Sequence, residues 1–122
     1  MLKFLTDLFK PEASKAPPIT SETSMNFEAG SVGPFLIRLA NNPRFGLPAD
    51  FTTSVTGAIQ DMALNEARRW RIDGAFDGSR VQIEIEVFMD DAEAPDLAFF
   101  STGAAIDEIG KELAAFAEAS ET

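Results

Sequence analysis

Glu84 and Glu86 are the first pair of side chains in this chain that could do chemistry. On an extended strand they point to one face roughly 6.6–7 Å apart, a separation that suits an acid and a base working on either side of a water. A general acid, however, needs burial or a neighbouring negative charge to keep its proton near neutral pH. Arg69 and Arg71 stand upstream, where a hairpin brings them opposite these carboxylates as ion-pair partners, so Glu84 and Glu86 make poor acids. Ser54, Ser79 and Ser101 are candidate nucleophiles, yet the chain has no His to take their protons. It has no Cys or Tyr either, which removes thiol catalysis, disulfides and the usual zinc ligand sets. No phosphate-binding loop or dinucleotide fingerprint occurs, and the glycines are scattered at turns. The residue inventory therefore points away from an enzyme and implies no cofactor.

Two charged clusters remain. Asp90, Asp91, Glu93 and Asp96 offer oxygens that a hard cation would want. Their spacing lacks the alternating acids and central glycine of a calcium loop, so a solvated connection between strands explains them better. Arg68, Arg69 and Arg71 could form an anion site, but the facing carboxylates already account for Arg69 and Arg71. The chain carries a net charge of −10, with all the excess after residue 24. Such a surface repels phosphate backbones and excludes nucleic acid as a partner.

The elements that must position these residues can be read from periodicity. In RRWRIDGAFDGSRVQIEIEVFM (68–89), Val81, Ile83, Ile85, Val87 and Met89 alternate with polar residues, as in a half-buried strand. Asp77-Gly78 is the dipeptide of a two-residue type I′ hairpin, since both central positions need positive φ. That turn sets Phe76 against Ser79, Ile72 against Ile83 and Trp70 against Ile85 on one face. It sets Arg71 against Glu84 and Arg69 against Glu86 on the other. LAFF (97–100) reads as a third strand, with Val87 placed opposite Phe99.

Three helices flank this meander. SVGPFLIRLANN (31–42) has Pro34 in its first turn, an apolar stripe of Phe35, Leu36 and Leu39, and an Asn-Asn-Pro stop. Asp50 is placed to cap a second helix, in which Phe51, Val55, Ala58, Ile59, Met62 and Glu66 keep helical spacing. Ser101 or Thr102 can cap a last helix whose stripe is Ala105, Ile106, Ile109, Leu113, Phe116 and Ala117. The expected fold is α+β: a three-stranded antiparallel meander with helices packed on one face, in the order α-α-β-β-β-α. Ser24–Glu28 is a candidate for a fourth, short edge strand.

Three segments organise the chain. Residues 1–10 (MLKFLTDLFK) carry Leu2, Phe4, Leu5, Leu8 and Phe9 along one side of an amphipathic helix. Residues 11–24 hold three prolines, several Ser and Thr and little apolar content, as a flexible linker does. Residues 25–122 form the domain. The opening segment is too short and too charged for a secretory signal, and nothing approaches a spanning helix, so a cytoplasmic location is expected. Residues 1–10 read as a docking segment with three candidate sites: their own domain, a partner's groove or a membrane surface, the last only a weak contact with two lysines and one aspartate.

Eleven Phe and no Tyr is an unusual balance for one domain, and most of the Phe must be core. Phe51, Phe76, Phe99 and Phe116 fall on inward stripes. Alternation turns Phe88 outward, and the assumed pairing places it opposite Ala98 and diagonal to Phe100. Large apolar groups on an open sheet face suit a partner or a second copy of the chain, as in a homodimer. Arg69, Arg71, Glu84 and Glu86 would form the polar rim. The sequence thus suggests a small acidic, non-enzymatic protein-interaction module of adaptor or chaperone-like type. The alternative is a small enzyme or ligand-binding domain with a pocket between sheet and helices.

Overall fold

The structure, a computed structural model, describes residues 18–121. The expected amphipathic segment at 1–10, with Leu2, Phe4, Leu5, Leu8 and Phe9, lies outside these residues, as does the expected linker up to residue 17.

Asp77 and Gly78 take φ values of 52° and 83°, the left-handed backbone of the expected turn. Strands β1 (Ser21–Asn26), β2 (Phe45–Gly46), β3 (Ala67–Phe76), β4 (Ser79–Phe88) and β5 (Asp96–Ser101) form one antiparallel sheet, in the order β1-β5-β4-β3-β2. The β3–β4 register is the expected one, with Ile72 opposite Ile83, Trp70 opposite Ile85, Arg71 opposite Glu84 and Arg69 opposite Glu86. Open space surrounds the position where a Gly78 Cβ would sit, so a side chain there meets backbone strain alone. Gly78→Val should therefore cost about 1–3 kcal/mol in denaturant unfolding. An unchanged midpoint would contradict the turn geometry.

The expected three strands, even with a fourth at the edge, undercount this curled sheet of five. β1 starts at Ser21, so the last four residues of the expected linker are sheet. Its sequence, SETSMN, has no apolar alternation to betray it; six consecutive pairings with β5 and the buried Phe27 just beyond it hold it in place. β2 is two residues long, too short for any period, and pairs with Ala75 and Phe76 of β3.

β5 lies two residues from its expected register. Val87 faces Leu97 rather than Phe99, Phe88 faces Asp96 rather than Ala98, and Phe100 faces Glu84. Because side chains alternate with period two, this slip leaves every residue on its expected face.

Helices α1 (Ala29–Ala40), α2 (Phe51–Gln60) and α3 (Gly103–Glu121) cover one face of the sheet. The core between the layers gathers Phe35, Leu36 and Leu39 of α1, Ile83, Ile85 and Val87 of β4, Leu97 and Phe99 of β5, and Ile109 of α3. Phe35 stands at its centre, with ring centroids 5.3 Å from Phe27, 5.8 Å from Phe99 and 5.5 Å from Phe116.

Helix ends differ in detail from the sequence expectation. α1 begins at Ala29, which moves Pro34 from the first turn into the helix, where it cannot donate to the Gly30 carbonyl. α2 stops at Gln60, and a turn with Asn65 at φ 69° follows. Glu66, expected on the helix, folds back there to accept the Ala63 N–H at 2.9 Å. Asp50 occupies the N-cap position without a side-chain capping bond. At α3 the cap is Thr102, whose hydroxyl accepts the Ala105 N–H at 3.4 Å. Ser101 instead closes β5, buried, and donates to the Gln82 carbonyl at 2.7 Å.

Candidate interaction surfaces

The face of the sheet away from the helices carries all six expected interface residues, but it does not gather them into one patch. Phe100 sits opposite Glu84 and Phe88 lies four positions further along β4, so the two aromatics are roughly 13 Å apart along the strand. Phe88 is 41% exposed. The depression beside it is edged by Asn26, Glu86 and Asp96. Phe100 is half-buried, with the Arg69 guanidinium 4.0 Å above its ring centroid, a cation–π contact. Glu84 receives both arginines, Arg69 at 2.6 Å and Arg71 at 3.3 Å. The Arg69 pair is thus diagonal rather than with Glu86 directly across, because a long side chain reaches the next row. The face is a polar lattice with one exposed aromatic at its end.

A second polar network ties the helices to the hairpin. Buried Asn42, just after α1, donates to Glu108 Oε2 at 2.8 Å and Glu112 Oε2 at 2.6 Å, and accepts the Arg44 N–H at 2.8 Å. Arg44 bridges Glu108 of α3 and Asp77 of the turn. The Arg44 guanidinium holds the Asp77 carboxyl below its ordinary pKa, and Asp77 raises that of Arg44. Glu66 is lowered by the Ala63 N–H first and by its pair with Arg68 second. Both carboxylates are held in the ionised form, the opposite of what a general acid requires. Among the described residues no group of acidic side chains is arranged to hold a metal ion, the 90–96 connection included. No described helix is long and apolar enough to cross a membrane.

The surface that the sequence did not announce lies between α1 and α2. It is a groove of about 730 Å³. One wall is the second face of α1: Gly30, Gly33, Pro34 and Ile37, spaced i, i+3, i+4, i+7. The other is Thr52, Thr56 and Ile59 of α2. Met89 and Pro95, both buried, close its sheet end, and no charged side chain lines it. At Gly30 the wall carries no side chain, and a Cβ there would meet open space. The Thr56 hydroxyl donates to the Thr52 carbonyl at 2.8 Å, while its methyl lies 3.7 Å from where a Gly33 Cβ would stand. Thr56 thus turns its methyl toward α1 and its hydroxyl toward its own helix backbone. Ile37 and Leu64 stand on its rims, 51% and 60% exposed, and are the largest exposed aliphatics among the described residues. The signal for it was present as Ile37, the one large apolar residue of α1 off the Phe35, Leu36 and Leu39 stripe.

A smaller cleft of about 410 Å³ separates α2 from β3, beside Trp70, Phe51 and Val55. It is the space between sheet and helix that a ligand-binding alternative would use.

No known protein family, curated protein or solved structure matches this chain.

Proposed function

We propose that this protein is a small, non-catalytic interaction module that grips an amphipathic peptide segment in the groove between α1 and α2. The observation that carries this is the groove's lining: uncharged throughout, on a chain that is 25% charged, with Ile37 and Leu64 left in water at its rims. Exposed aliphatics beside a concave apolar surface are the form in which helix-in-groove recognition occurs. Adaptor or chaperone-like binding fits this geometry, and residues 61, 90, 91 and 93, all acidic and exposed around the groove end, favour a segment with basic flanks. Glu66 and Asp77 are both held below their ordinary pKa by hydrogen bonds and arginine partners, which does not suit the acid role that the enzymatic alternative needs.

Three apolar anchors from a partner would gain roughly 5–9 kcal/mol gross, most of it offset by association costs, so weak binding at the micromolar level or above is expected. The test uses a labelled peptide with Leu at i, i+3, i+4 and i+7 and Lys between. The chain's own apolar residues 1–10 are silenced by Leu5→Ser with Leu8→Ser, so that the groove is measured by itself. In that background Ile37→Ser with Leu64→Ser, which leaves the charge unchanged, should weaken binding at least tenfold. Equal affinity would show that the peptide is held by the acidic surface alone.

A further inference from the structure

We infer that the groove is a docking site for the chain's own residues 1–10, which occlude it in the same molecule and must leave before a partner enters. This rests on the groove being a peptide-binding site, as proposed above, and adds its regulation. Three observations select this occupant over others.

The first is chemical fit. Leu2, Phe4, Leu5, Leu8 and Phe9 supply apolar anchors at helical spacing, and Lys3 and Lys10 flank them with only Asp7 opposing. The groove has an uncharged lining, and Asp61, Asp90, Asp91 and Glu93 are exposed around its end. An apolar face with basic flanks thus meets an apolar floor with acidic flanks. The excess negative charge of the chain lies entirely after residue 24, so these ten residues are not repelled as the rest of the chain would be.

The second is reach. β1 starts at Ser21 and runs to Asn26, and the next residue, Phe27, bonds the carbonyl of Pro95, a groove residue, at 2.9 Å. The groove's near end therefore lies about six strand residues, roughly 20 Å, from Ser21. Residues 11–20 span roughly 33–36 Å when extended, enough to return along β1 and cross onto the helix layer.

The third is effective concentration. A short tether of this kind presents the segment at a concentration on the order of millimolar. A segment with an intrinsic Kd of about 0.1 mM is then about nine-tenths docked, which weakens any competing peptide about tenfold. Occlusion of that size keeps Ile37 and Leu64 covered until a partner of higher affinity arrives.

The experiment compares the native chain with Leu5→Ser/Leu8→Ser, using the same labelled peptide. The native chain should bind it about tenfold more weakly. A chain with no native cysteine also permits a direct contact test. Thr6→Cys with Gln60→Cys, treated with a short bismaleimide crosslinker, should give an internally linked monomer, and adding Leu5→Ser/Leu8→Ser should abolish the link. Equal peptide affinity of the two chains, together with no crosslink, overturns self-docking while leaving the groove intact. Failure of the peptide to bind either chain overturns the groove itself. A crosslinked dimer overturns docking in the same molecule in favour of exchange between copies. Co-sedimentation of the native chain, but not the serine variant, with phosphatidylserine vesicles and no crosslink overturns it in favour of a membrane surface.

Discussion

Phe35→Ala should cost about 3–5 kcal/mol of stability, the range for emptying a large aromatic from a packed core. Phe35 is fully buried and its ring touches Phe27, Phe99 and Phe116, which come from the β1–α1 junction, β5 and α3. Because these neighbours come from three different elements, the space would be filled only in part. α1 would lose its central contact with the sheet. Since α1 is one wall of the groove, peptide binding should weaken in step with stability. Chemical denaturation followed by Trp70 fluorescence reads the first effect. A loss below about 1 kcal/mol would mean that α1 is anchored elsewhere and that the aromatic cluster is incidental.

Gly74→Val should break the β2 edge of the sheet. A Cβ at Gly74 would stand 2.6 Å from the Gly46 carbonyl oxygen and 3.2 Å from Leu47 Cδ2. The first contact is with backbone, which cannot rotate away, so the strand must move. β2 is held to β3 at only two positions, and the cheapest relief is for β2 to peel off the edge. That exposes Phe45, whose ring centroid is 4.8 Å from Phe76. The expected cost is about 1–3 kcal/mol or more, with hydrogen exchange at Phe45 accelerating beyond the global change. An unchanged midpoint would show that β2 was never packed against Gly74.

These two residues mark how much of the molecule its sequence displays. The β3–β4 hairpin was legible because two independent signals coincide there: Asp77-Gly78 demands one turn type, and apolar and charged pairs agree on one register. The β5 register was not legible, because a slip of two residues preserves every burial relationship and nothing in DDAEAPD measures the loop. β1 and β2 carry no hydrophobic period; pairing with a neighbour makes them strands. Ion pairs were legible as a neighbourhood and not as partners, since Arg69 could cross to Glu84 and stack on Phe100 without changing the backbone.

The groove shows the same limit at the level of function. Periodicity singles out the stripe of a helix that is buried, and Phe35, Leu36 and Leu39 satisfied it. Gly30 and Gly33 read locally as poor helix formers, and Pro34 as a first-turn residue. Only when α2 is placed beside them do they become the empty side of a groove. Phe88 and Phe100, by contrast, were placed on the correct face by alternation and then separated by the unexpected register. Their separation shifts the weight of the interaction proposal from the sheet to the helices.

The most direct measurement is a backbone NMR map of the Leu5→Ser/Leu8→Ser chain titrated with the Leu–Lys peptide. Binding in the groove predicts saturable shifts at Gly30, Gly33, Thr56 and Leu64, with Arg69, Phe88 and Phe100 unmoved. Shifts centred on those three sheet residues, or spread evenly over the acidic surface, would contradict the assignment of the α1–α2 groove as the binding site.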